Sequence, residues 1–254
     1  MQWIEQKGTR EMRTISWFSC GAASAVATKL AIAESKTPVE VVYCHIKEEH
    51  PDNLRFMQDC EKWFGQSIKV IQNEKYNGSI YEVFTKRKYI VGVAGAPCTT
   101  YLKKDMRKQF QKPNDIQVFG YTAEEQDRVD RFIDANNDVK LWSILIDKGL
   151  KKSDCLAMLS NAGIELPAMY KLGYHNNNCI GCVKGGLGYW NKIRNDFPEH
   201  FERMAKLEKT IGAKILKSKG ERIWLSDLPV GAGDYPKEQE IECGIFCHMA
   251  EQEY

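Results

Sequence analysis

Residues 17–30 read WFSCGAASAVATKL, and the reading of the fold turns on them. The apolar run RTISWFS (13–19) ends there, and a stretch of Ser, Cys, Gly and Ala leads into the helical spacing of SAVATKLAIAES (24–35). Two interpretations of a strand, a small-residue loop and a helix in that order stand side by side. Small residues let backbone N–H groups approach an anion closely, and the helix turns its positive end on the same point, so the loop holds a phosphate. Alternatively the loop is a tight strand-to-helix turn whose residues are small only because room is short.

Working outward, VEVVYCHI (39–46), SIKVIQ (67–72), DIQVFGY (115–121) and VKLWSILI (139–146) have the character of short buried strands. NLRFMQDCEKWFG (53–65) and TAEEQDRVDRFIDAN (122–136) carry helical spacing between them. Strands alternating with helices predict βαβ units, hence an α/β fold with a mainly parallel sheet covered on both faces. Ligands of such sheets lie at the carboxyl ends of the strands, where the 19–24 loop falls, which favours the phosphate interpretation. From about residue 147 the texture changes. KKSDCLAMLSNAGIELP (151–167) suggests a helix with Ser153 as N-cap and a stop at Gly163. An Asn- and Gly-rich stretch, the helical EHFERMAKLEKTIGA (199–213) and a loop-like tail follow. The expected organisation is an α/β nucleotide-binding domain over 13–150 and a cysteine-bearing segment over 151–254 that packs on it.

With 254 residues, 43% of them hydrophobic and 28% charged, the chain can bury a large core and is neither disordered nor a membrane protein in composition. Its polar start is unlike a signal peptide, so a cytoplasmic protein is expected. A net charge of +2 is too small to argue for nucleic acid. Two basic clusters nevertheless stand out, Lys86–Arg87–Lys88 and Lys103, Lys104, Arg107, Lys108, Lys112. Each is either a solvated helix face or part of a polyanion site.

Nine cysteines, an odd number, argue against a disulfide framework in a reducing compartment and towards metal or redox chemistry. Cys179 and Cys182 form CIGC, in which two thiolates can share one metal while glycine permits the turn. Cys98 in GAPCTTYLKK, and Cys243 or Cys247 in ECGIFC, are candidates for further ligands. A [4Fe–4S] cluster, a structural zinc (for which His175 is a further candidate) and a redox thiol pair all remain open. Cys44, Cys60 and Cys155 fall inside strand or helix patterns and read as buried residues, while Cys20 is ambiguous.

Taken together, SCGAAS, GAPCTTYLKK, GYTAEEQDR, NNNCIGC and ECGIF, in that order over residues 13–247, resemble the phosphoadenosine phosphosulfate (PAPS) reductase-like family of the PP-loop superfamily. The resemblance implies a PP-loop α/β fold and an ATP or other adenine-nucleotide site formed by Ser19, Cys20, Gly21, Ala22, Ala23 and Ser24, with Gly120 and Tyr121 beside it. Cys20 stands where the family has a glycine, and Ala23 where it has an aspartate that helps position Mg2+. By the same likeness Glu125 holds a cation and Arg128 an anion, while Cys98, Cys179 and Cys182 match the ligands of a [4Fe–4S] cluster. Cys243 matches a cysteine that attacks the sulfur of a sulfonucleotide. The implied activity is sulfur transfer, in which ATP activates DNA or tRNA for thiolation or phosphorothioation and a cysteine desulfurase supplies sulfur. A sulfonucleotide reductase served by a thioredoxin-like donor, or a nucleotide-binding module without turnover, are the alternatives.

Overall fold

The computed structural model describes residues 12–92, 95–239 and 241. Five strands form one parallel sheet: β1 (Thr14–Phe18), β2 (Val39–Cys44), β3 (Lys69–Ile71), β4 (Ile116–Val118) and β5 (Lys140–Trp142). Their spatial order is β3-β2-β1-β4-β5. The central strand, TISWF, is buried along its whole length, and its side chains alternate between two apolar layers as the pleat requires. Phe18 joins Val41, Tyr43 and Val118 under the helices α1 (Ala22–Glu34) and α2 (Asn53–Phe64). Ile15 and Trp17 join Val42, Phe119 and Phe132 on the opposite face, against helix α5 (Gln126–Ala135). Polar groups inside these layers are paired. Ser16 Oγ lies 2.7 Å from Thr28 Oγ1, and Trp17 Nε1–H donates to Gln117 Oε1 across the β1–β4 pair at 2.6 Å.

A second core lies beside the sheet. It gathers Ile46, Tyr76, Phe84 and Leu102 from the segments that follow β2 and β3, and Met169, Trp190, Met204 and Leu225 from the C-terminal half. It is built on α3 (Ile80–Arg87), α7 (Leu187–Asp196) and α8 (Pro198–Ile211). Between α3 and β4 the chain runs through a helical turn Pro97–Thr99, a π-helical stretch Thr100–Lys104 and α4 (Asp105–Phe110). Helix α6 (Lys152–Asn161) packs on α1 through Cys155 and Leu159, so this part of the C-terminal half belongs to the sheet's own layer.

Several local expectations shift. Helix α1 starts at Ala22, so the small-residue loop shrinks to Ser19–Gly21. The apolar run 139–146 divides into β5 and a helical turn, Ile144–Asp147, that buries Ile144 and Leu145 against α1. A short apolar run is compatible with either conformation, and burial decides. The N-terminus of α6 is closed by Asp154, whose carboxylate accepts the Lys151 N–H at 2.8 Å; Ser153 lies within the helix. An antiparallel hairpin, β6 (Leu216–Ser218) and β7 (Glu221–Ile223), has no counterpart among the expected strands. The buried Glu208 carboxylate fastens its ends by accepting the N–H groups of Ile215 and Leu225, each at 2.7 Å. Among the described residues no helix is long and apolar enough to cross a membrane.

Candidate functional site

In a 3-2-1-4-5 sheet the chain leaves β1 and β4 in opposite directions, which opens a crevice between their carboxyl ends. A cavity of about 510 Å³ occupies this position. Ser19, Gly21, Ala23 and Ser24 line its centre, Tyr43, Cys44 and Glu49 the β2 side, and Phe119 to Thr122 with Glu124, Glu125 and Arg128 the β4 side. Lys103, Lys152, Tyr170 and Asn176 to Asn178 complete the wall, together with Gln239 and Ile241 of the tail.

The loop after β1 is held by its own hydroxyls. Ser24 Oγ accepts the Ser19 N–H and the Ser19 hydroxyl, both at 3.0 Å, and donates to Gly21 O at 2.9 Å. Among the described residues no side chain of Gly21 or its neighbours caps α1, and the first turn contains no acidic residue. The first N–H groups of a helix have no partner within the helix, and the macrodipole gives that end a partial positive charge. The Ala22 N–H is approached by Tyr170 Oη at 3.4 Å.

Of the six loop residues expected to bind a nucleotide, four line the cavity, whereas Cys20 and Ala22 are fully buried beneath it. Cys20 adopts φ 55°, the left-handed region. Glycine enters this region without strain, which gives a physical reason for glycine at the corresponding family position. Here Asn177 holds the strained residue by donating to Cys20 O at 2.7 Å. Burial pushes the Cys20 thiol well above its usual range, and the neighbouring Glu49 adds to the shift. The thiol therefore stays protonated. Cys44 faces the cavity, yet burial raises its pKa to about 12.

Gly120 sits where the β4 loop crosses the start of α1. A Cβ there would come within 2.5 Å of Ser24 N and 2.7 Å of Ser24 Cα, so this position requires glycine. Gly21 has no such requirement. Its φ is −102°, and a Cβ would meet only Tyr170 Oη at 3.5 Å and Ser19 Oγ at 3.6 Å. Glu125 and Arg128 both line the cavity and pair with each other at 2.6 Å. Glu125 also closes a capping box with Thr122, so its carboxylate has a structural task at the helix start. The Arg128 guanidinium lies 5.0 Å from the centre of the Tyr121 ring.

The two basic clusters separate in space. Lys86, Arg87 and Lys88 are exposed at the C-terminal end of α3. Lys103 and Arg107 are 7% and 1% exposed. The Lys103 ammonium turns into the cavity, 3.8 Å from Glu49 Oε1. Residues 102–112 therefore form no single solvated basic face.

Cys98, Cys179 and Cys182 come from two loops and border one apolar cluster, the second core. Gly181 supplies the turn between the paired cysteines at φ 74°. The loop is pinned by Ile180 N–H donating to Glu48 O and Cys182 N–H donating to Tyr189 Oη, both at 2.8 Å. Buried polar groups in or beside this cluster—Tyr81 Oη, Thr99 Oγ1 and Trp190 Nε1—have no hydrogen-bond partner among the described residues. Donors of this kind suit the sulfur atoms of an iron–sulfur centre, as does the thiol-rich residue set. Yet among the described residues no three His, Cys, Asp or Glu side chains are grouped to hold a metal ion. The thiols fit such a centre in kind, and their convergence on it is not part of the described geometry. His175 stacks on Tyr235, ring centres 4.6 Å apart. Cys243 and Cys247 lie outside the described residues.

No protein-family model and no curated protein matches the chain. The geometry alone speaks for function.

Sequence reasoning passed over Tyr43, Glu49, Tyr170 and Lys152 in the cavity wall. It gave no individual role to Asn176–Asn178, although NNNCIGC had marked the stretch. These three side chains join the cavity to the cysteine loop and the tail. Asn177 grips Cys20 O, while Asn176 and Asn178 donate to Ile241 O at 3.4 and 3.1 Å.

Proposed function

We propose that the protein binds an adenine nucleotide in the crevice at the ends of β1 and β4 and uses it in sulfur-transfer chemistry of the PAPS reductase-like kind. The observation that carries this reading is the uncapped start of α1, which opens into a cavity of about 510 Å³ at the switch point of the sheet. An anion is favoured there by the helix dipole and by backbone donors. Lys103, Lys152 and Arg128 add positive side chains around the wall. Ser19 and Ser24 keep the loop in place, and the Thr122–Glu125 cap sets the β4 side. Asn176–Asn178 lead directly into Cys179, so the nucleotide and the cysteine loop are neighbours along the chain.

Within this reading, Cys98, Cys179 and Cys182 hold a [4Fe–4S] cluster that supplies electrons when bound. The acceptor is a nucleic acid activated through the nucleotide, with a cysteine desulfurase as sulfur source. The test is titration calorimetry with ATP and AMP on anaerobically purified protein, with iron analysis of the same sample. Micromolar nucleotide binding and bound iron are expected, with iron lost in Cys98→Ala, Cys179→Ala and Cys182→Ala. Any of these variants that keeps full iron removes that residue from the ligand set. Salt-dependent binding of DNA or tRNA supports the nucleic-acid acceptor. Release of sulfite from a sulfonucleotide with a thiol donor assigns the reductase activity instead.

A further inference from the structure

We infer that Asn177 reads a ribose hydroxyl of the bound nucleotide. The inference rests on the nucleotide site proposed above and begins with a chain of amides whose orientation is set from one end. The Glu49 carboxylate accepts the Tyr43 hydroxyl and, at 3.1 Å, the Asn53 Nδ2–H. That bond turns Asn53 Oδ1 towards Asn177, whose Nδ2 donates to it at 2.7 Å and to Cys20 O at 2.7 Å. Both partners of Asn177 Nδ2 are acceptors only, so the amide cannot be reversed. Its Oδ1 is left over. Asn177 is 7% exposed and lines the cavity, and Oδ1 has no hydrogen-bond partner among the described residues.

A buried carbonyl oxygen without a donor is unfavourable, and the ligand is the natural source of one. Ionised phosphate oxygens carry no hydrogen, so the partner is an O–H or N–H group. The amide touches Cys20 O, within the loop that precedes α1, so the partner sits beside the phosphate-binding end of the cavity. In a nucleotide the donor-bearing unit that adjoins the phosphates is the ribose, whereas the base amino group lies at the far end. The occupant assigned to Asn177 Oδ1 is therefore a 2′- or 3′-hydroxyl.

The test compares ATP, 2′-deoxy-ATP, 3′-deoxy-ATP and ITP by titration calorimetry on the wild-type protein and on Asn177→Ala. ATP should bind wild type at least tenfold more tightly than one of the deoxy analogues, and that ratio should collapse towards one in Asn177→Ala. A purely structural effect of the substitution weakens every ligand alike and cancels in the ratio. Equal wild-type affinity for ATP and both deoxy analogues overturns the inference without need of any variant. A deoxy preference that persists in Asn177→Ala also overturns it. A loss confined to ITP and cancelled by Asn177→Ala moves the contact to the base and overturns the ribose assignment. No ATP binding by the wild type overturns the nucleotide site itself, an outcome separate from all of these.

Discussion

Two helices of this protein start from small-residue runs, and their starts are treated in opposite ways. Helix α1 follows SCG, and α7 follows KGG. At α7 the positive end is taken by the protein itself. Glu238, 50 residues further on, accepts Gly188 N–H at 2.6 Å and Tyr189 N–H at 3.0 Å. At α1 no side-chain cap is present among the described residues, and the space in front of the helix is the cavity. A helix start is an anion site only if the protein does not bring its own carboxylate. The difference teaches that a glycine-rich run before a helix does not distinguish a ligand site from a closed turn. The distant residue that faces it does.

The comparison breaks most readily at Gly120, which seats the start of α1. Gly120→Ala would drive a Cβ into the Ser24 backbone, which cannot rotate away. A loss of about 3 kcal/mol is expected, the upper end for overpacking, with nucleotide binding lost in parallel. Thermal unfolding checks this; a wild-type melting temperature would mean that the two loops are not tightly packed. Next in size, Glu238→Ala uncaps α7 and leaves two N–H groups without their carboxylate. The expected cost is about 2 kcal/mol, since hydrogen bonds to charged groups are the stronger kind. Denaturant unfolding measures it, and an unchanged midpoint would remove the claim that this end is closed by Glu238. The smallest effect on the fold is expected at Gly21. Gly21→Ala meets only ordinary contacts, so stability should change by less than about 1 kcal/mol. Its methyl group would nevertheless stand between the loop and an anion, and ATP affinity should fall about tenfold, or roughly 1.4 kcal/mol. Full affinity in this variant would place the phosphates elsewhere.

The sequence by itself determined the local elements and their class. Apolar runs of strand length alternating with helical spacing specify βαβ units, because pleat and helix period are properties of the backbone and its immediate side chains. The loop after β1 was legible for the same reason, as was the turn in CIGC. What only the tertiary structure decided is which groups meet. Asn177 and Cys20 are 157 residues apart, and no spacing rule joins them. Lys103 and Lys86 look alike as basic residues, yet a π-helical stretch and core packing turn one into the cavity and leave the other in water. Glu125 belongs to a motif that suggests ion binding, and its capping bonds appear only once the β4 loop is folded. Local pattern is fixed by bonds between neighbours. The site is assembled by long-range burial, which selects among many contacts of similar chemistry and leaves no periodic trace in the chain.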